Sequence, residues 1–406
     1  MFFSNLATFW LRTASNEHVT FITVKRKYLL LALCLLLIVS LSLPVKGQGE
    51  ATVMLPDSVR VVSGLPSHVQ GIAVDAARGS MYFSFTTQFI RTDMEGRVLG
   101  TIDRIPGHLG AMALNADDGK VYVSLECKDD EIGAGIARQL GLERMERTDC
   151  AFYIAVIDPM KVTRQGMTPD EDEAMQTILL PHVVNDYLDT VSTVHGPREH
   201  RYGCSGIDGV AIAPKAGHKG GKSQLYVAYG IYGDTSRTDN DYQVIHCYDI
   251  SRWNYHTRSA VPRKTYFVHT GNTSYGVQNM TYDPATRQLL MAVYKGSKPN
   301  YPNYDLYAAD LSRHPFHAAL EGVPYAGNGL QLRLSRQGLH DDATGVSGWR
   351  FPYGSTGIQA LGDGYFYLSQ NFKDKASGHQ GTDVCLYRWT DDPAKPFERI
   401  RKKNEK

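Results

Sequence analysis

The stretch GIAVDAARGSMYFS, residues 71–84, decides how this chain is read. It is an apolar strand, a polar turn ending in glycine, and a second strand with an aromatic ring near its start. The phrase returns as AMALNADDGKVYVS (111–124), GVAIAPKAGHKGGKSQLYVA (209–228), NMTYDPATRQLLMA (279–292) and GIQALGDGYFYLS (357–369). Ile72 to Tyr82, Met112 to Tyr122 and Met280 to Leu290 keep one spacing, while the third copy carries a basic, glycine-rich insertion and the fifth a shortened turn. Self-similarity of this kind marks a repeat architecture, in which one unit cannot bury its apolar face alone. The pattern predicts an all-β chain forming a single β-propeller of five blades, or six if 112–210 holds a degenerate one.

Outward from the phrase, each blade finds its later strands. FIRTDMEGRVLGTI (89–102) is a hairpin about Asp93–Gly96 and completes blade 1. FYIAVID (152–158) and MQTILLP (175–181) serve blade 2, and YQVIHCYDI (242–250) and KTYFVHT (264–270) serve blade 3. YDLYAADLS (304–312) and LQLRLS (330–335) serve blade 4, and VCLYRW (384–389) and FERI (397–400) serve blade 5. SVRVVSG (58–64) has no first strand before it. It is expected beside 397–400, completing the last blade and closing the ring so that no sheet edge is left open. Two stretches break the strand pattern: EIGAGIARQLGLERMER (131–147) has helical spacing, and 181–203 is expected to hold a short helix and a loop.

Blade 1, with GIAVD, MYFSF and its second hairpin, resembles the NHL-repeat and gluconolactonase-like propellers. The resemblance implies the fold. Gluconolactonases hold a metal with a Glu in an early strand and with an Asn and an Asp reaching the channel. Blade 1 has no such Glu, so their site is not carried over. Asp208 and Asn279 remain as a pair of oxygen donors that would suit calcium, the one cofactor this resemblance suggests.

A formal net charge of +1 on 406 residues excludes a general polyanion binder, so nucleic acid is not an expected partner. Lys25, Arg26 and Lys27 precede the apolar run 28–43, and small residues follow near Val45 and Gly47. That order reads as a signal peptide or signal-anchor over 1–47, with a propeller domain over 48–406 and an exported location. The membrane would be touched only through an uncleaved anchor. Export permits disulfides, and Cys127 and Cys150 bracket one insertion, so they are candidates for a bridge, against the alternative of buried thiols.

A propeller gathers the ends of its inner strands around a channel. The links from second to third strands are long in blades 2 to 5, and binding residues concentrate on loops held by a rigid scaffold. The residues preceding the first strands include His68, Gln70, His108, Asp208, Gln278, Asn279 and Thr356, nearly all of them polar and uncharged. Tyr229, Tyr294 and Lys295 lie on the loops above, and the expected pocket is roofed by 229–235, 294–303 and 370–375. Such a ring suits a small polar or carbohydrate ligand held by hydrogen bonds and ring stacking. This makes an exported binding protein the leading class. The alternative is a hydrolase, a glycosidase or a calcium-dependent lactonase, with Asp208 and Glu126 as its catalytic candidates. Propeller glycosidases of the arabinanase-like kind carry a third carboxylate where this chain has Gln or Thr. A protein-interaction scaffold is the third class. Lys298 beside its tyrosines reads as a further anion contact, and Asp234, Asp239, Asn240 and Asp241 as a solvated acidic tip. His195 and His200 fall short of a zinc site's ligand count.

Overall fold

The turn inside the repeated phrase is built the same way three times. Asp75 Oδ1 accepts the Arg78 N–H at 3.0 Å, Asn115 Oδ1 accepts the Asp117 N–H at 3.2 Å, and Asp283 takes the N–H groups of Ala285 and Thr286. Four residues on, Gly79, Gly119 and Arg287 adopt positive φ of 57°, 69° and 58° and reverse the chain. A short acceptor followed by a left-handed residue is a turn with a mechanism. Blade 5 replaces it with Asp363-Gly364, both at positive φ, the two-residue hairpin that matches strand twist.

The computed structural model describes residues 55–401. Five sheets, each built on an antiparallel meander, follow in chain order; three have four strands, that of blade 3 has six and that of blade 5 has five. Blade 1 is Val69–Asp75, Ser80–Phe85, Gln88–Asp93 and Val98–Ile102, and blade 2 is His108–Asn115, Lys120–Cys127, Ala151–Ile157 and Met175–Leu179. Blade 3 is Cys204–Ala213, Gln224–Ile231, Tyr242–Tyr248 and Lys264–His269. Blade 4 is Val277–Asp283, Gln288–Val293, Leu306–Asp310 and the two residues Arg333–Leu334. In blade 5, Ile358–Gly362, Tyr365–Lys373 and Gln380–Trp389 leave one outer edge, which two segments share. Ser58–Val62 pairs with its first half, Ser58 opposite Cys385, and Phe397–Arg399 with its second, Phe397 opposite Trp389. The N-terminal strand therefore closes the ring as expected, end to end with the C-terminal one. There is no sixth blade among the described residues; 112–210 spends its extra length on helices and loops.

One apolar cluster fills each gap between neighbouring blades. Met81, Phe83, Ile90, Val59 and Val384 join blades 5 and 1; Phe89, Ile102, Leu109 and Val123 join blades 1 and 2. Ile154, Val156, Val210 and Tyr229 join blades 2 and 3, Tyr226, Val268, Met280 and Tyr307 join blades 3 and 4, and Leu290, Trp349, Phe366 and Phe397 join blades 4 and 5. At the centre the first strands touch directly. A Cβ on Gly71 would stand 2.9 Å from Ala111 Cα, and one on Gly209 2.8 Å from Val277. Glycine is what lets five inner strands approach this closely.

One expectation changes. LQLRLS does not stay in one blade: Asn328–Gln331 turns aside to pair in parallel with Lys264–His269 of blade 3, and only Arg333–Leu334 returns to blade 4. Phe316–Ala319 adds a sixth strand to that sheet. Of the two readings of Cys127 and Cys150, the structure has the free thiols. Cys127 Sγ donates to Pro106 O at 3.3 Å and Cys150 Sγ to Asp129 Oδ1 at 3.3 Å. Cys127 pairs with Ala151, so the neighbouring Cys150 faces the other side of the sheet. The helical reading of 131–147 resolves into α1 (Glu131–Leu140), capped by Asp130 on the Gly133 N–H and ended by Gly141; α2 is Pro181–Leu188. No described helix is long and apolar enough to cross a membrane. The segment 1–47 lies outside the described residues.

His246 in the core gives a pH prediction. It is 2% exposed, with Nε2 at 2.7 Å from Tyr229 Oη and Nδ1 at 2.9 Å from Thr265 Oγ1. Burial pushes its pKa down to about 3, with His182 adding to the shift. The unfolded chain takes up a proton below the ordinary value of 6.5, which the folded chain refuses until about pH 3. Its contribution is thus whole above pH 6.5 and is lost as pH falls toward 3, at up to about 1.4 kcal/mol per pH unit. Urea midpoints between pH 7 and 4 should fall more steeply for the wild type than for His246→Gln; parallel curves would refute the assignment.

Candidate functional site

The first strands of four blades each carry a β-bulge near their start. Register slips between Val69 and Gly71, between Leu109 and Met112, between Gly206 and Gly209, and between Val277 and Asn279. The residues lifted out of the ladder include Gln70, Asp208 and Gln278, three of those expected at the mouth. Bulges re-aim side chains and gather beside functional sites.

Here they bring three chemical groups together. His108, Glu126 and Asp208 each offer one atom to a cluster whose members lie within 4.8 Å of one another. His108 and Glu126 face each other across one strand pair of blade 2, and Asp208 arrives from blade 3. His108 and Glu126 are buried and Asp208 is half-buried. Glu126 Oε1 accepts the Ile207 N–H, and Oε2 forms an ion pair with Lys128 Nζ at 2.7 Å. Lys128 also lies 3.4 Å from Asp130 Oδ2 and donates to Ser205 O at 2.9 Å. The carboxylates sit where no side chain intrudes. A Cβ on Gly206 would stand 2.0 Å from Glu126 Oε1, one on Gly230 2.3 Å from Asp208 Oδ2, and Gly206 sits at φ +146°.

These surroundings set the charges. Burial, and then Glu126, push the Asp208 carboxyl up to about 7. Burial pushes His108 down to about 4, which leaves a neutral imidazole at physiological pH. Burial works against the charge of Lys128, but Glu126, Asp130 and Asp208 outweigh it and hold its pKa above the ordinary lysine value.

Gln278 and Tyr294 border the trio, and other expected residues have neighbours of their own. Gln278 Nε2 lies 3.4 Å from Asp208 Oδ2, and Gln70 Nε2 lies 3.2 Å from His68 Nε2. Tyr294 is 39% exposed, packs edge-on to Tyr275 at 5.7 Å, and has its hydroxyl pKa raised by burial and by Asp208. Thr356 Oγ1 meets Ser369 Oγ at 3.2 Å on blade 5. Lys295 is exposed on its loop.

Others are placed elsewhere. Tyr229 is fully buried, its hydroxyl bonded to Asp186 Oδ2 at 2.7 Å, because its strand parity turns it into the core between blades 2 and 3. Asn279 does not join Asp208 as an oxygen donor: its amide nitrogen donates to Gln70 O at 2.9 Å and Ser355 O at 2.8 Å, tying blade 4 to blades 1 and 5. Lys298 is buried on Asp241 and stacked over Tyr301, and Asp239 holds Arg237 at 2.6 Å, so neither a free lysine nor a solvated acidic tip is found there. Residues 370–373 continue a strand instead of forming a roof. His195 is exposed, while His200 bonds Tyr187 O at 2.5 Å. Sequence reasoning missed Lys128 and Asp130; Tyr232, within the expected roof 229–235, reaches Asp130 Oδ2 with its hydroxyl at 3.1 Å. The available signal was parity: Lys128 follows Glu126 by two residues and so shares its face.

No family model matches the chain, and no curated protein matches it. Among solved structures it is similar to the Dos1 propeller, at 10% identity over 82% of this chain and 82% of that chain, with a TM-score of 0.30. It is similar to the RRP9 WD40 repeats, at 12% identity over 85% of this chain and 83% of that one, with a TM-score of 0.33. It is also similar to a calcium-binding protein, regucalcin, from Agrobacterium tumefaciens, at 11% identity over 80% of this chain and 96% of that one, with a TM-score of 0.31. At TM-scores this low the likenesses carry no argument, and the five-bladed propeller is read from the strand pairings.

Proposed function

We propose that this is an exported propeller whose bulged face binds a small polar, sugar-like ligand. The observation that supports it is the cluster of His108, Glu126 and Asp208, with Gln278 on Asp208, where the first strands of blades 2, 3 and 4 bulge. The groups offer both donors and acceptors on a rigid ring, which is what a polyhydroxylated molecule needs. Tyr294 supplies a partly exposed aromatic face beside them. Purified protein on a glycan array is the direct test. Asp208→Asn should retain ligand with a loss of about 1–3 kcal/mol, the effect of disturbing one buried hydrogen bond. If Asp208→Asn and Gln278→Ala both leave binding unchanged, the mouth is not the site.

Hydrolysis is the second reading, and one feature favours it. Asp208, its carboxyl pushed up to about 7, neighbours Glu126, which is ion-paired with Lys128. An acid and a base side by side are what glycoside cleavage uses, with carboxyl groups about 5–5.5 Å apart in retaining enzymes. In that case Asp208→Asn keeps ligand and loses turnover by orders of magnitude.

A further inference from the structure

We infer that His108, Glu126 and Asp208 form a site for one divalent transition-metal ion of the zinc or manganese class, open to the channel. This deepens the reading of the mouth as a ligand site and rests on it only for the ion's role, which is to present free coordination positions to ligand hydroxyls.

Three observations carry it. The first is convergence: one imidazole and two carboxylates, from two blades, have donor atoms within 4.8 Å of one another. Around a tetrahedral ion such donors stand about 3.4 Å apart, given metal–ligand bonds of about 2.0–2.1 Å. Side-chain rotation can close that difference, and no Cβ on Gly206 or Gly230 stands against the carboxylates that would turn. The second is an orphan. His108 is 7% exposed, and its Nδ1 has no hydrogen-bond partner and lies 3.7 Å from Glu126 Oε2. A buried polar atom without a partner calls for an explanation, and an ion is one of the few. The third is charge. Glu126, Asp130 and Asp208 surround a single ammonium, Lys128. Carboxylates outnumber cations there, and a divalent ion would offset the charge that Asp208 gains on giving up its proton to bind it. Lys128 can stay on Asp130 and Ser205 O when Glu126 turns toward the ion.

The donor set selects the metal. Calcium and magnesium take oxygen ligands, whereas an imidazole nitrogen with carboxylates suits zinc or manganese. Three protein ligands and an open position are the pattern of zinc sites that bind substrate.

The full chain, stripped with a chelator, should be titrated separately with zinc, manganese, calcium and magnesium chloride by calorimetry. One zinc ion per chain is expected, bound roughly 100-fold or more tighter than calcium or magnesium. His108→Gln and Asp208→Asn should each weaken zinc roughly tenfold or more while their metal-free melting temperatures stay near wild type. Should His108→Gln fail to fold, the half-buried Asp208→Asn carries the test, with cobalt absorption reporting the donor set. Zinc held equally well by Asp208→Asn, calcium bound as tightly as zinc, or no stoichiometric binding overturns the inference. Glycan captured by chelated protein that binds no zinc removes the ion and leaves the sugar reading. Zinc on the trio without any glycan does the reverse.

Discussion

Replacing Lys128 with Met should lower the unfolding free energy by about 3–5 kcal/mol. Lys128 is 6% exposed and lies among Glu126, Asp130 and Ser205 O. Methionine fills the stem's volume, so little of the loss comes from packing. The loss comes from Glu126, which keeps the Ile207 N–H but has no cation on Oε2. A lone buried carboxylate is far less favourable than a paired one. Making the pair neutral together, as Glu126→Gln with Lys128→Met, should recover much of the loss, since both charges are removed at once. Chemical denaturation of the two single variants and the double variant measures this. A loss of under about 1 kcal/mol in Lys128→Met would mean that the ammonium is solvated and the pair is a surface one.

The double variant Val59→Asp/Val61→Asp should lose about 3–6 kcal/mol, close to all that docking of the N-terminal strand contributes. Both valines are 2% exposed and sit in the cluster between blades 5 and 1, with Met81, Phe83 and Val384. Two carboxylates cannot enter that cluster unpaired, so the strand leaves the Gln380–Trp389 edge instead. The freed edge then offers unpaired backbone groups to other chains, and aggregation on heating should accompany the lower midpoint. Arg60→Ala is the control: its pairing with Asp383 at 2.7 Å is exposed, and the midpoint should barely move. Equal effects from both variants would place the strand's contribution in its ion pair and not in its buried face.

The blades were legible because their signal is local. Asp75, Asn115 and Asp283 shape the chain within four residues of themselves, and the flanking alternation sets which face each strand buries. Closure by 58–62 could be inferred from an orphan strand at one end and an incomplete blade at the other. The detour of 328–331 onto blade 3 could not, because its strand pattern is the same whichever blade receives it. The thiols stayed undecided for a related reason: spacing along the chain says nothing about the sheet face on which Cys127 and Cys150 lie.

The sequence by itself determined a ring of five strand–turn–strand units and the polar character of the residues before each inner strand. Those properties depend on neighbours a few residues apart. Tertiary structure alone decided which of the polar residues meet. A single extra residue in a first strand flips the side chains that follow it to the other face. Four such bulges turn Gln70, Asp208 and Gln278 out at the mouth, bring Asp208 to His108 and Glu126, and leave Asn279 to lace blades together. The burial that raises Asp208, and the carboxylates that hold Lys128 charged against its own burial, are likewise the work of residues far apart in sequence, from blades 2 and 3, because desolvation and charge interactions depend on everything that surrounds a group and not on its place in the chain.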